Sequence, residues 1–411
     1  MATHDTALPV DGVPHIQLEA QLRALLSDDV RSHWARAFRG PRDVQDIGRL
    51  AYDMFRDENG IFSLRAEHMR LIEVEVTDMC LSLFHPPAEA GATFTSGGSE
   101  SNYSALHAMR EWARETKPQI HTPEVIAPFS AHPTFSKGCH YFGLKLVRTA
   151  LEPCRRASVL AMEQAVTPDT IGIIGSAPGW TYGLYDPIPA IGEIAARHGL
   201  WFHVDACVGG YLAPFAEQLG LRLPEWDFRV AEVRSISADL HKFGYCPKPA
   251  STILWRDDAL KRHHYVHPSD WPGGQYTTAG FSGSRPAGAI YAAWAVLRYL
   301  GQSGYLRLTQ NVLDAKARLV AGIDAIEGLT VIQNDLLPVA FGATDADLAL
   351  IKGELAKLGW MLLGASQPPL INVPLDAAVD DRVIDTFLAE LEAATERVRS
   401  GLGTTRDELR Y

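Results

Sequence analysis

The sequence predicts an α/β fold in which a mainly parallel sheet, covered on both faces, is followed by a smaller α+β unit. Three observations lead there. Short apolar runs of strand length alternate with helical patterns between residues 60 and 285, and such alternation implies parallel strands joined by crossover helices. Past Arg285 the order changes to one long helical stretch and then a mixture of strands and helices. With 411 residues, 46% hydrophobic and 21% charged, the chain exceeds one average domain and can bury a large core plus a smaller unit.

Residues 1–57 mix helical patterns ("IQLEAQLRALLSDDVRSHWARAF") with Pro and Gly breaks, which predicts an N-terminal helical arm. The large unit is expected over 58–290. There "EVIAPFS", "IIGSAP", "LWFHVDA", "VRSISAD" and "ASTILWR" read as buried strands, another strand leads into Ser96, and helices fall at 100–115, 162–166 and 188–198. The smaller unit is expected over 291–411, entered through the long segment "AGAIYAAWAVLRYLGQSGYLRLTQNVLDAKARLVAGIDAI". Its pattern reads strand 330–333, strand 339–342, helix 345–358, strands 361–363 and 370–373, and a helix near 381–399. No repeat or Ser/Gly linker interrupts the sequence, so the units are expected to pack together.

The net charge of −11 without a basic run excludes the electrostatic footprint of a nucleic-acid binder. Apolar runs such as 290–297 fall short of the roughly 20 residues that span a bilayer, and the start "MATHDTALPVDG" is no secretory signal. These features predict a soluble cytoplasmic protein with no membrane partner. Cys80, Cys139, Cys154, Cys207 and Cys246 form no CxxC pair, which suits a reducing compartment and gives no metal-site spacing. Most read as small buried hydrophobes.

Three short stretches carry chemistry. In "TFTSGGSESNYSALHAMREWARE" a strand ends in Ser96-Gly97-Gly98-Ser99 and a helix begins at once, so free amides and a positive dipole end face any anion placed there. An ordinary N-cap turn reads the same way. In "LWFHVDACVGG" Asp205 ends an apolar strand, at the sheet edge where α/β ligands bind; an Asp capping the next turn is the plainer alternative. In "SADLHKFG", 37 residues beyond Asp205, Lys242 again follows a strand, and burial there would lower its pKa toward the nucleophilic range. Pyridoxal phosphate needs all three: an anion cup, an acid for its ring nitrogen and a lysine amine for its aldehyde.

With "TSGGSESN", "GSAPGWTYGLYDPI", "HVDACVGG", "SISADLHKFGYCPKPASTILWR" and "AGFSGSRPAGAIYAAW" in this order, the chain resembles the fold type I pyridoxal-phosphate enzymes of the decarboxylase group, most closely their sphingosine-1-phosphate lyase branch. The resemblance covers residues 55–400 and implies a seven-stranded sheet of the pyridoxal-phosphate-dependent transferase fold. It implies that Lys242 carries the covalent link to the cofactor and that Asp205 pairs with the ring nitrogen. Gly98, Ser99 and His241 would hold the phosphate, and His132 would stack on the ring, a satisfied loop histidine being the alternative. Cys207 is expected to pack beneath the ring. "GFSGSRPAG" matches a segment that reaches the neighbouring subunit's cofactor phosphate, here through Gly283 and Ser284, so a homodimer with shared sites is implied. Arg285 would fix that segment or meet substrate.

The substrate shell departs from the branch. An Asn-Pro-Leu-His segment of the branch becomes Asn59-Gly60-Ile61-Phe62, and its active-site tyrosine becomes Trp180 with Tyr182 nearby, while Lys248 matches a phosphate-contacting lysine. Lost hydrogen bonds to a substrate phosphate are enough to change the substrate. The expected activity is retro-aldol cleavage of a β-hydroxy amine or amino acid, with Lys242 or Tyr182 moving protons and Asn59, Phe62, Trp180, Lys248 and Arg285 around the substrate. An amino-acid α-decarboxylase and a non-catalytic scaffold of the same fold are the alternatives.

Overall fold

The computed structural model describes residues 12–25, 38–62, 66–278 and 280–410. Of the helical arm it shows α1 (His15–Leu25) and α2 (Arg42–Phe55); the pattern expected over 26–37 lies outside the described residues. α1 buries none of its side chains, whereas α2 turns Val44 and Gly48 inward. α3 (Glu67–Leu81) then leads to the sheet.

The large sheet is built from β1 (Gly91–Thr95), β2 (Glu124–Pro128), β3 (Lys145–Thr149), β4 (Thr170–Ser176), β5 (Trp201–Asp205), β6 (Val233–Ala238) and β7 (Ser251–Trp255). Their spatial order is β1-β7-β6-β5-β4-β2-β3. β3, β2, β4, β5 and β6 run parallel to one another in that order, and β7 is antiparallel to both β1 and β6. The crossover helices are α4 (Gly98–Thr116), α5 (Thr134–Phe142), α6 (Val159–Gln164), α7 (Ile188–His198) and α8 (Ala213–Gln218), with the short α9 (Asp258–Lys261) after β7. β2, β4, β5 and β7 are buried at every residue, which is why they read as continuous apolar runs. β3 was not among the expected strands. It lies at the sheet's edge and alternates Lys-Leu-Val-Arg-Thr, so it carries no such run.

α10 (Gly288–Asp324) leaves the sheet and bends at Gly301, whose φ of 53° is left-handed and suits glycine. The expected division at 290/291 falls inside this helix. α2 packs along it, with Gly48 against Val296. A separate antiparallel sheet follows, β8 (Leu329–Val331), β9 (Val339–Ala343), β10 (Leu363–Ser366) and β11 (Pro369–Val373) in the order β10-β11-β9-β8, with α11 (Leu348–Lys357) and α12 (Asp381–Arg399). β10 lies later than the expected 361–363, because pairing of Ser366 with Pro369 across a tight hairpin sets its register. One continuous apolar cluster runs from Phe84 and Phe202 in the large unit through Leu308 in α10 to Phe341 and Phe387.

The fold gathers several strand ends at one edge. Ser176 of β4 and Ser237 of β6 flank Asp205 of β5 in register, and Thr95 of β1 pairs with Ser251 at the start of β7.

Candidate active site

The Gly-rich turn between β1 and α4 is locked by side chains. The Thr95 hydroxyl lies 2.6 Å from that of Ser101, which lies 2.9 Å from the Ser251 hydroxyl. Position 98 has room for glycine alone: a Cβ there would come within 2.7 Å of the Cys207 Sγ and 2.9 Å of both Asp239 carboxylate oxygens. α4 begins without a side-chain N-cap, so its first-turn amides are offered to an anion. The Ser99 hydroxyl sits 3.3 Å from that of Thr134, and Thr134 in turn holds His132, its Oγ1 2.6 Å from Nδ1 and its backbone N–H donating to the same nitrogen at 3.2 Å. Burial pushes the His132 pKa down.

Asp205 is buried and faces donors. It accepts from the Cys207 backbone N–H at 3.1 Å, the Asn102 amide at 3.3 Å and the Ser237 hydroxyl at 3.4 Å. Lys242 approaches the same space from the turn after β6, and there the structure corrects the sequence expectation. Burial alone would lower its pKa, but the buried carboxylate of Asp239, 2.8 Å from Nζ, outweighs burial and holds the ammonium well above the usual lysine range. The ion pair holds the Asp239 carboxyl below its ordinary value despite its own burial. His241 Nε2 lies 3.6 Å from the same carboxylate. Its Nδ1 is buried with no hydrogen-bond partner among the described residues.

A cavity of about 430 Å³ joins these groups, lined by Gly98, Ser99, His132, Trp180, Asp205, His241, Lys242 and Lys248. The Lys242 ammonium lies 5.7 Å from the Trp180 ring centroid, and Trp180 meets Phe38 edge-on. Cys207 lines the wall as a buried thiol whose pKa burial pushes well up, in keeping with packing. Asn102, Asp239 and Phe38, together with Leu363 from the small sheet, also line it and were missed from the sequence. Asp239 did leave a signal there, an acid one helical turn before Lys242; Asn102 sits in the quoted "SGGSESN" but was read only as part of a helix start.

Other expected residues lie elsewhere. Tyr182 is buried against Leu184, Ile332, Ala340 and Leu370, and its hydroxyl donates to the Gln367 carbonyl at 3.1 Å. It does not line the cavity, because the small unit claims it as core. Asn59, Gly283, Ser284 and Arg285 form their own cluster: the Asn59 amide donates to the Ser284 hydroxyl at 2.9 Å and its oxygen accepts from the Arg285 N–H at 3.2 Å. Gly283 and Arg285 meet there too, an Arg285 guanidinium N–H reaching the Gly283 carbonyl at 3.5 Å. Phe62 ends the 3-10 turn Gly60–Phe62; its side chain lies outside the described part.

The residues present fit pyridoxal 5'-phosphate. The uncapped helix start, Ser99 and His241 suit a phosphate; Asp205 can accept from a protonated ring nitrogen, and Lys242 supplies the amine.

Residues 5–341 match the pyridoxal-dependent decarboxylase conserved domain. The chain is 36% identical over 359 residues to a sphingosine-1-phosphate lyase of Arabidopsis thaliana, covering 86% of this chain and 66% of that protein. It is 34% identical to sphingosine-1-phosphate lyase 1 of Rattus norvegicus, covering 86% and 63%, so it spans just under two thirds of the length of these curated relatives. A solved structure of Burkholderia pseudomallei sphingosine-1-phosphate lyase superposes with a TM-score of 0.91 at 32% identity, covering 96% of this chain and 93% of that one. A Lactobacillus brevis glutamate decarboxylase, at 21% identity and a TM-score of 0.82, shares the fold. The chain belongs to the pyridoxal-dependent decarboxylase family, and its cofactor is pyridoxal 5'-phosphate.

Proposed function

We propose that the protein is a carbon–carbon lyase that cleaves the Cα–Cβ bond of a β-hydroxy amine or amino acid. The observation that carries this reading is the single cavity joining the α4 N-terminus, Asp205 and Lys242, in a chain 32% identical to a solved sphingosine-1-phosphate lyase along nearly its whole length. When bound, the cofactor supplies an electron sink for the bond that breaks. The chain's own residues do the rest. Asp205 would accept a hydrogen bond from a protonated ring nitrogen, and the α4 amides, Gly98, Ser99 and His241 would hold the phosphate. His132 covers the ring. Lys242 would carry the covalent link to the cofactor, and its Nζ, once released as a neutral amine, would be the group that takes the proton of the substrate β-hydroxyl. Tyr182 has no part in this, since its hydroxyl is committed to Gln367 outside the cavity. Trp180, Phe38 and Leu363 exclude water, and Lys248 offers a charge to an anionic substrate group.

Phe62 and Trp180 stand where the branch places hydrogen-bonding groups, which favours a small-molecule substrate other than sphingosine 1-phosphate. We further propose a cytoplasmic homodimer whose 283–284 segment serves the partner's cofactor phosphate, with Asn59 and Arg285 bracing it, and a chain organised as 1–57, 58–290 and 291–411. No helix among the described residues is long and apolar enough to cross a membrane.

A second reading, amino-acid α-decarboxylation, has one specific support: the chain is 32% identical over 323 residues to an L-aspartate/L-glutamate decarboxylase of Pyrococcus horikoshii, covering 79% of this chain and 82% of that protein. One experiment separates the two. The loaded enzyme is incubated with β-hydroxy amines, phosphorylated and free, and with common amino acids, and products are read by mass spectrometry. An aldehyde is expected from a β-hydroxy substrate, and Lys242→Ala should abolish both the visible absorbance of bound cofactor and the product. Carbon dioxide with an amine, and no aldehyde, would overturn the lyase reading in favour of the decarboxylase.

A further inference from the structure

Asp205 is the last link of a buried hydrogen-bond chain that begins at Trp201. The Trp201 indole N–H donates to the Ser235 hydroxyl at 2.9 Å. That hydroxyl lies 2.9 Å from Nδ1 of His203, whose Nε2 lies 3.1 Å from the Asn102 side-chain oxygen. The Asn102 amide donates to Asp205 at 3.3 Å. Trp201, Ser235 and His203 are fully buried, and Asn102 nearly so.

The two ends favour one arrangement of the protons between them. An indole N–H can only donate and a carboxylate can only accept. Asn102 must therefore turn its NH₂ toward Asp205 and its oxygen toward His203, so His203 carries its proton on Nε2. Its bare Nδ1 then accepts the Ser235 hydroxyl proton, whose oxygen takes the indole N–H. Burial pushes the His203 pKa down to about 4 against the opposing pulls of Asp205 and the Ser235 backbone, so the imidazole is neutral at working pH. Ser237 Oγ, 3.4 Å from both His203 Nε2 and Asp205, closes the same cage and takes the Cys207 thiol proton at 3.3 Å. The other charged or titratable groups acting on or near Asp205 are Lys242, His132 and Asp186.

We propose that Asn102 and His203 are positioning residues: the Trp201–Ser235–His203–Asn102 chain aims the Asp205 carboxylate, and so sets how firmly the cofactor's ring nitrogen is held. This rests on the reading of Asp205 as the ring-nitrogen partner. A carboxylate that loses a donor is free to turn away from the ring nitrogen, so breaking the chain anywhere loosens its far end, and its members act as a unit.

The test uses the full chain loaded with pyridoxal 5'-phosphate and the variants Asn102→Leu, His203→Phe, their double, Ser235→Ala and Asp205→Asn. Two quantities are read, the cofactor dissociation constant and the pH midpoint of its visible band. Asn102→Leu should weaken binding about tenfold and raise the midpoint by about one pH unit, because a less firmly protonated ring withdraws less charge from the lysine linkage. His203→Phe should do the same in part, and the double should be no worse than Asn102→Leu alone. In the cofactor-stripped chain, ¹⁵N-histidine spectra should show His203 as the Nε2–H tautomer, mixed in Ser235→Ala. If His203→Phe fails to fold, Ser235→Ala carries the test by deleting one hydroxyl. Asn102→Leu and His203→Phe that lower thermal stability but leave both quantities at wild-type values would overturn the proposal. An Asp205→Asn variant with wild-type values would instead overturn the reading of Asp205 beneath it.

Discussion

Asp239 decides the state of Lys242. Its carboxylate, 2.8 Å from Nζ and only 2% exposed, keeps the amine protonated where burial alone would strip the proton. Asp239→Asn keeps the shape and removes the charge. Desolvation then dominates, and the stripped chain should react with a simple aldehyde at Lys242 at least about tenfold faster at pH 8 than the parent; borohydride trapping with peptide mass spectrometry measures this. An unchanged rate would mean that the ion pair does not govern the amine. Lys242, Asp205 and Gly98 were legible in the sequence because each ends or follows a strand in a short motif. The net direction of the Lys242 shift was not, since it depends on a balance between burial and one carboxylate that only the folded turn sets. Asn102 was hidden for another reason: its partners lie about a hundred residues away, on β5.

At the scale of one element, α4 works at its start and at its middle. Glu100, in its first turn, accepts from the Ser96 N–H at 2.6 Å and from the Phe281 N–H at 2.8 Å, tying the Gly-rich turn to the segment before α10. Two turns on, His107 lies buried between the rings of Phe142 and Phe281, its Nδ1 without a hydrogen-bond partner among the described residues. Burial and then Arg110 push its pKa down to about 4, with Glu111 opposing and His264 and Arg114 adding to the fall. The unfolded chain therefore binds the proton more tightly than the native one, and stability is lost as pH drops below about 6.5 toward 4. At pH 5 that loss is about 2 kcal/mol for this one group. His107→Phe keeps the ring contacts and removes the titration, so urea unfolding should show the variant gaining on the parent by about that amount between pH 8 and pH 5. A parallel pH dependence of the two would refute the assignment. α4 itself was evident from its sequence pattern, as were the buried strands. β3 and the bend at Gly301 were not, because an edge strand lacks a continuous apolar run and a lone glycine within a helical pattern does not announce a kink.

For the whole molecule, the large sheet brings acid, lysine and anion cup to one edge, as alternating strands and helices in the sequence implied. The expected residues that stay apart from the cavity are equally informative. Asn59, Gly283, Ser284 and Arg285 hold one another in a braced segment that one chain's own cavity does not use, and α1 leaves Ile16, Leu22 and Leu25 exposed. In the homodimer proposed above, a second copy of the chain would give both features a role, and no motif within a single sequence distinguishes a residue that serves its own site from one that serves its partner's. Gly283 permits a direct test. Among the described residues, a Cβ there would meet only Tyr276 Oη at 3.4 Å and Ile61 Cδ1 at 3.9 Å, ordinary contacts, and its backbone is not left-handed. Gly283→Glu is therefore tolerated within its own chain, while its charge opposes any phosphate that the segment reaches. Lys242→Ala and Gly283→Glu homodimers should each be inactive. In a heterodimer purified through two different tags, trans contribution puts both lesions in one site and leaves the other intact, so about half of wild-type activity should return. A segment serving its own site would leave one lesion in each, and no activity would be recovered.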